Sequence, residues 1–347
     1  MPNEAGDTPR VAEARARSVL RCDIDLQADG KATGFVRLPH SVHRSAYGWI
    51  PIPIVRIANG PGPSVLMLAG NHGDEWEGQI ALGGLIRSIE PRDITGRLVI
   101  LPSVNFPAAK AGRRTSPIDE GNLNRLFPGD PAGSVTQQIA YWLEHGLLPG
   151  FDYSFDLHSG GSSLHYLPLS LVYRDPDPAR MDKVLSLAQA FGAPVCMVVT
   201  APQSGGRSFT SASVRQGVTS IATEVGGGGC VTPSSMAMMA DGLRRLLSCV
   251  GLLHGNPPPA PAATRLTEVG DDSYYVYAME PGLFEPLADV GQEVRAGQPA
   301  ARIHFHHAPW REPLLLHFAR AGLVLCKRVP ALCEPGDCLF QLATDLA

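Results

Sequence analysis

The 347-residue sequence predicts an α/β fold, with a mixed, mostly parallel sheet flanked by helices and a smaller C-terminal β domain. Three observations predict it. Short continuous apolar runs alternate with helical patterns, which is the signature of βαβ units covered on both faces. A proline-rich stretch, HGNPPPAPAAT, interrupts the chain at residues 254–264. Beyond it the helical patterns stop, and short strand-like segments with Gly turns take over.

The bulk composition bounds the function. Hydrophobic residues make up 44% and charged residues 18%, as in a globular protein with a substantial core. The formal net charge of −4 gives no reason to expect nucleic acid or an anionic membrane as partner. No apolar run approaches the roughly 20 residues that span a bilayer. The N-terminus is charged and lacks the apolar core of a secretory signal, so residues 1–21 read as a polar extension. Seven cysteines without a CxxC pair read as reduced thiols, which points to the cytoplasm.

The elements follow in order. Residues 22–57 carry strand signals around a turn at Asp29-Gly30, and Pro51 and Pro53 favour a sheet edge for the second run. SVLMLAG from Ser64 is a buried strand, Glu75 to Ile89 a helix, and GRLVILPSVN a strand. Thr136 to Leu148 is helical, with Ser134 as N-cap. FDYSFDLHSG is a strand that ends at His158, Asp177 to Phe191 a helix, APVCMVVT a strand, VTSIATEVGGGG a strand that ends at Glu224, and Pro233 to Leu253 a helix. The expected organisation is therefore an extension at 1–21, a catalytic domain at 22–255, a linker at 256–263 and a β-sandwich-like domain at 264–347. In the last of these, the stretch from Gly282 to Gly297 resembles that from Gly322 to Gly336, as in biotinyl/lipoyl carrier domains. A carrier role is not expected, because the one lysine there, Lys327, sits inside an apolar strand.

Chemistry concentrates at the strand ends. His72 and Glu75, three apart at a helix start, can aim at one point. Imidazole nitrogen plus carboxylate oxygen suits Zn²⁺. Alone, the pair reads more readily as a surface His and a capping Glu. His158 at the end of a second strand tips the balance, since ligands bind at the carboxyl ends of strands in open α/β sheets. His72, Glu75 and His158 make a three-ligand catalytic zinc pattern, one ion per chain. Asp156, on the same strand face as His158, ranks below them as a supporting or capping group, and Asp74 reads as an N-cap. Glu224 is the candidate general base. The long polar loop AGRRTSPIDEGNLNRLFPGD supplies Arg125 for a two-pronged grip on a carboxylate and Arg114 to polarise a carbonyl. His304 and His306 read as surface histidines, and Cys333, Cys338 and the MAMM run at 236–239 as packing.

GNHGDEWEG, NLNRLFPG, FDLHSGG and TEVGGGG, in this order, resemble the succinylglutamate desuccinylase/aspartoacylase family over roughly residues 40–255. The resemblance implies a zinc carboxypeptidase-like fold. It implies zinc on His72, Glu75 and His158, Glu224 as general base, Asn124 and Arg125 on a substrate carboxylate, and Arg114 at the carbonyl. RTSPIDEGNLNRLFPG and ATEVGGGG are most similar to the ectoine-degradation branch, the N-acetyl-diaminobutyrate deacetylases. The expected activity is a zinc-dependent amidohydrolase, a deacylase of a small N-acyl amino acid such as N-acetyl-2,4-diaminobutyrate. Two alternatives use the same site: a carboxypeptidase-type metallopeptidase, and a desuccinylase or aspartoacylase for a dianionic substrate. A non-catalytic binding protein would have lost a ligand or the base, and all four are present. For a cationic substrate amine, Asp119 and Glu120 are the candidate counter-charges. The expected partner is a small molecule, and a homo-oligomer is compatible with the sequence.

Overall fold

In the computed structural model, residues 9–200, 204–261 and 263–346 are described. The first eight residues of the N-terminal extension, residues 201–203, Ala262 within the linker and Ala347 lie outside them. Helix α1 (Pro9–Arg17) is followed by β1 (Arg21–Cys22), β2 (Gly30–Pro39), β3 (Trp49–Asn59), β4 (Ser64–Ala69), α2 (Trp76–Ser88), β5 (Gly96–Leu101) and α3 (Phe106–Ala111). Next come α4 (Val135–Tyr141), β6 (Tyr153–His158), β7 (Leu164–Tyr173), α5 (Pro178–Phe191), β8 (Val195–Val199), α6 (Phe209–Arg215), β9 (Thr219–Gly227) and α7 (Pro233–Cys249). The remainder is almost all strand: β10 (Arg265–Glu268), β11 (Tyr275–Tyr277), β12 (Gly282–Pro286), β13 (Glu293–Val294), β14 (Pro299–His304), β15 (Leu314–His317), β16 (Gly322–Arg328), β17 (Leu332–Cys333) and β18 (Cys338–Asp345).

The main sheet runs β1-β2-β3-β5-β4-β6-β9-β7-β8-β10-β18-β16-β13. It is mixed, as expected, but parallel only across β5-β4-β6-β9 and β7-β8-β10. Elsewhere strands pair antiparallel, because close sequence neighbours such as β2 and β3 join through short connections that a parallel pair could not use. In the parallel centre Val65 to Ala69 are fully buried, which explains an apolar run without alternation. Helices α2, α5 and α7 pack on one face with Leu82, Phe191 and Leu243, while α4 and α6 cover the other with Ile139 and Phe209.

Three elements depart from the sequence expectation. Strand β3 is not at an edge, since it lies between β2 and β5. Its prolines are tolerated because β5 pairs only from Val55 onward, which leaves Pro51 and Pro53 with a neighbour on the β2 side alone. The helix expected over 136–148 is α-helical only to Tyr141 and continues as a wider turn over 142–147, although Ser134 does cap it by accepting from Gln137 N–H. Strand β7 was not expected at all. Pro168 sits inside its sequence, and the pairing of β7 with β9 shifts register between Tyr166 and Leu169 around it.

Strands β12, β14, β15 and β17 form a separate four-stranded sheet, order β15-β14-β12-β17. Phe284, Ile303, Phe318 and Phe340 share a core between it and the strands that continue the main sheet. The C-terminal segment is thus stitched to the rest by hydrogen bonds: β10 pairs with β8, and β16 with β7.

Candidate active site

Strand β5 leaves β4 on one side and β6 lies on the other, so the chain reverses its direction of sheet growth at β4. Such a switch point opens a crevice at the carboxyl ends of the strands. The loop after β4 carries His72 and Glu75, and β6 ends on His158. In the parallel register of β6 and β9, Glu224 is the direct neighbour of His158. Four candidates from three separated segments are thereby placed together.

The β4–α2 loop is held tightly. A Cβ on Gly73 would come 2.0 Å from the carbonyl carbon of Ala108, so only glycine lets the loop pass that close to α3. One on Gly78 would come 2.7 Å from the Leu157 side chain, so α2 rests directly on β6. Asp74 is not the N-cap expected of it. Its Oδ2 accepts from the Ser162 backbone N–H at 2.8 Å and hydroxyl at 2.7 Å, tying this loop to the one after β6. Glu75 itself stands at the N-cap position, with no side-chain cap bond, which leaves its carboxylate for the crevice.

The Glu75 carboxylate lies between two imidazoles, with Oε1 2.7 Å from His72 Nδ1 and Oε2 2.7 Å from His158 Nδ1. All three residues are buried, and one donor atom from each falls within 4.8 Å of the others. The outer nitrogens are also engaged. His158 Nε2 is 2.8 Å from Asp156 Oδ2, and His72 Nε2 is 3.1 Å from Asn122 Oδ1. Imidazoles held from behind by an oxygen acceptor present the inner nitrogen as a free lone pair, the arrangement used by metal ligands. Two imidazoles and one carboxylate therefore fit a divalent cation of zinc's preference. Asn122 escaped the sequence reading because its loop has no periodic pattern; its nearness to Asn124 in NLNR was the available signal.

Charge tuning follows from this geometry. Burial alone would raise the Glu75 pKa, but His72 and His158 beside it more than reverse that and hold it well below the usual carboxylate range. Burial lowers His72. Burial would also lower His158, but Asp156 and Glu75 carry it well above the ordinary histidine value. Glu224 is driven the other way, well above the usual range, by burial and by the negative charge of Glu75.

The remaining candidates converge on the same cavity, of about 270 Å³. Arg114, Asn124, Arg125 and Glu224 all line it with His72, Glu75 and His158. Arg114 Nη1 stands 3.5 Å from Glu75 Oε1 and 3.3 Å from His72 Nδ1. Asn124 accepts from the Phe209 N–H at 2.8 Å, and its Nδ2 is 3.4 Å from His158 Nε2. Arg125 donates to the Asn124 carbonyl at 2.8 Å; burial, then the nearby Arg114, lowers its pKa, and no carboxylate pairs with it among the described residues. Arg113 pairs with Glu120 outside the cavity.

The counter-charge guess fails. Neither Asp119 nor Glu120 lines the cavity. Asp119 accepts from the backbone N–H and hydroxyl of Thr136 at the start of α4, and Glu120 is occupied by Arg113. The sequence reading also missed the part of the lining made by Tyr166 and Tyr173 of β7 and by Tyr275 and Gln341 of the C-terminal strands. Away from the cavity, half-buried His304 of β14 pairs with Glu285 of the neighbouring β12, Cys333 is buried, and Met239 belongs to the core.

Comparison with known proteins follows the same lines. Residues 61–250 match the family described as the succinylglutamate desuccinylase/aspartoacylase catalytic domain. A protein of Halomonas elongata named N-alpha-acetyl-L-2,4-diaminobutyric acid deacetylase is 38% identical over 326 residues, spanning 94% of this chain and 95% of its own. The crystal structure of a succinylglutamate desuccinylase/aspartoacylase from Rhodobacter sphaeroides superposes with a TM-score of 0.90 at 38% identity, over 95% of this chain and all of that one. The product-bound structure of the ectoine utilization protein EutE (DoeB) from Ruegeria pomeroyi gives 0.90 at 38% identity, over 94% of this chain and 98% of that one.

Proposed function

The chain belongs to the succinylglutamate desuccinylase/aspartoacylase family, and from that premise we propose that it is a zinc-dependent deacylase acting on a small N-acyl amino acid, N-acetyl-2,4-diaminobutyrate in particular. One observation carries the reading: the Glu75 carboxylate between the inward-facing nitrogens of His72 and His158, with Glu224 one strand away. The fold we read as zinc carboxypeptidase-like, with residues 22–255 as the catalytic domain, 256–263 as the linker and 264–347 as a β-sandwich-like domain. The choice of substrate rests on likeness to the Halomonas elongata deacetylase and the Ruegeria pomeroyi protein.

His72, Glu75 and His158 would hold the zinc, which supplies Lewis acidity at the amide carbonyl and lowers the pKa of water. Glu224, beside His158 across the strand pair and lining the same cavity, takes the proton from the attacking water and passes it to the leaving nitrogen. Arg125 and Asn124 hold the substrate carboxylate, which fixes the amide against Glu224. Arg114 donates to the carbonyl oxygen as it gains charge, a role supported by its 3.5 Å approach to Glu75.

The test joins metal analysis to a substrate screen. Purified protein is expected to hold one zinc per chain, and His158→Ala to lose most of it. N-acetyl-2,4-diaminobutyrate is expected to be hydrolysed with higher kcat/KM than N-acetylaspartate or N-succinylglutamate. Full zinc in His158→Ala removes the ligand assignment, and a clear preference for the dianionic substrates removes the substrate assignment.

A further inference from the structure

Adjoining the catalytic crevice, four strands contribute one residue each to a single cross-strand row. Tyr166 of β7 stands opposite Cys326 of β16, Cys326 opposite Gln341 of β18, and Gln341 opposite Tyr275 of β11. Residues directly opposite in neighbouring strands project from the same face. Three of the four, Tyr166, Gln341 and Tyr275, line the cavity. The row starts beside Glu224, because Tyr166 pairs with Gly226 on β9.

Among the described residues the cavity lining contains four charged groups besides the histidines, Glu75 and Glu224 at strand ends and Arg114 and Arg125 in the polar loop. The wall made by the row is polar and carries no charge. A substrate with a second carboxylate would meet no cation there. A substrate with a primary ammonium would meet oxygen atoms.

Gln341 is the group best set to receive it. It is 8% exposed, so its amide is fixed rather than solvated. Its Nε2 donates to the Tyr275 hydroxyl at 2.9 Å, which leaves Oε1 as the end of the amide not engaged by that hydroxyl. The Oε1 atom has one described protein contact, a long one of 4.0 Å from the Cys326 thiol, a weak donor. That leaves a carbonyl oxygen with accepting capacity at the cavity wall.

We propose that Gln341 is a specificity-determining residue whose amide oxygen receives the side-chain ammonium of the substrate. It selects for a cationic acyl amino acid and against a dianionic one by what it accepts and by the absence of a cation beside it. The inference rests on the deacylase reading above and replaces the acidic counter-charge expected from Asp119 or Glu120.

Charge substitution at one position tests it. Gln341→Glu and Gln341→Lys are compared with the wild type for kcat/KM on N-acetyl-2,4-diaminobutyrate and on N-acetylaspartate, with zinc content and melting temperature checked for each. The ratio of the two kcat/KM values is expected to be at least tenfold higher in Gln341→Glu than in Gln341→Lys, with wild type between them. Because turnover could be lost through folding, binding of free 2,4-diaminobutyrate and aspartate to the zinc-loaded proteins is measured by calorimetry, with the same ordering expected. Ratios that agree within twofold in all three proteins, with the amine substrate still hydrolysed, overturn the role of Gln341 and leave the deacylase reading standing. A wild-type protein that neither hydrolyses nor binds the amine compounds overturns both.

Discussion

Asp156 Oδ2 lies 2.8 Å from His158 Nε2, two residues along the same buried strand, and also accepts from the Asn71 side-chain amide at 3.2 Å. The strand period puts both side chains on one face, so Asp156 can hold His158 from behind while the other imidazole nitrogen faces Glu75. Its role is to orient, and it does not reach the reacting atoms.

That relationship predicts the behaviour of Asp156→Asn. The amide keeps the shape but loses the charge that favours the proton on Nε2. Zinc affinity is expected to fall by about 10- to 100-fold, the usual scale for the outer partner of a ligating imidazole, while fold and substrate preference persist. Competition against a chelator measures it, and unchanged zinc affinity would contradict the role.

For Glu224→Gln, zinc content and melting temperature are expected to stay close to wild type while kcat falls on the order of a hundredfold or more. Steady-state kinetics on the zinc-loaded variant decide this. A kcat near the wild-type value would mean that another group takes the proton.

Arg125 makes no ion pair with a carboxylate among the described residues, and its side-chain hydrogen bond is to the Asn124 carbonyl, so its charge is available to a ligand. Arg125→Lys is expected to lose nearly as much kcat/KM as Arg125→Ala, roughly ten- to a hundredfold, because an ammonium cannot make the two-pronged contact. If the lysine variant matches wild type, the clamp is wrong.

Asp119 gives a pH test away from the metal ligands. Burial would raise its pKa, but hydrogen bonds from Thr136, Ser134 and Gly121 outweigh that and lower it below the model-peptide value. A carboxyl lowered in the folded state adds stability that is fully present above the unfolded value, about 3.9, and is lost as pH falls through the folded one. Asp119→Ala is therefore expected to cost about 1 kcal/mol at pH 7, the scale of a helix-start contact, with the gap to wild type narrowing below about pH 4. Urea unfolding at the two pH values checks it.

Much of the site was legible because its residues sit at the ends of strongly apolar strands, and an apolar run that stops at His or Glu is visible without a structure. His72, Glu75, His158 and Glu224 all belong to that class. Arg114, Asn124 and Arg125 were legible through the length and polarity of their loop. The part of the lining made by β7 and the C-terminal strands was not. Tyr166 lies on a strand hidden by Pro168, and Gln341 reaches the cavity only because β16 pairs with β7, a contact between residues 160 apart in sequence. Local pattern carries no information about pairing at that range. Asp74 and Asp119 were misplaced for a related reason: a short acidic side chain near a helix start serves several partners equally well, and tertiary packing chooses among them.

The pairing of β10 with β8 and of β16 with β7 makes β10, β16 and β18 part of the sheet that carries the catalytic strands. A chain cut in the proline-rich stretch would leave β7 and β8 with open hydrogen-bonding edges flanked by Leu169, Val195 and Met197, which now contact Leu323, Leu325 and Ala343. Bare edges of that kind recruit other chains. On the ribosome, the centre of the sheet emerges well before the strands that seal it. A chain that ends in the proline-rich stretch is therefore expected to aggregate more readily than one that carries β10, β16 and β18.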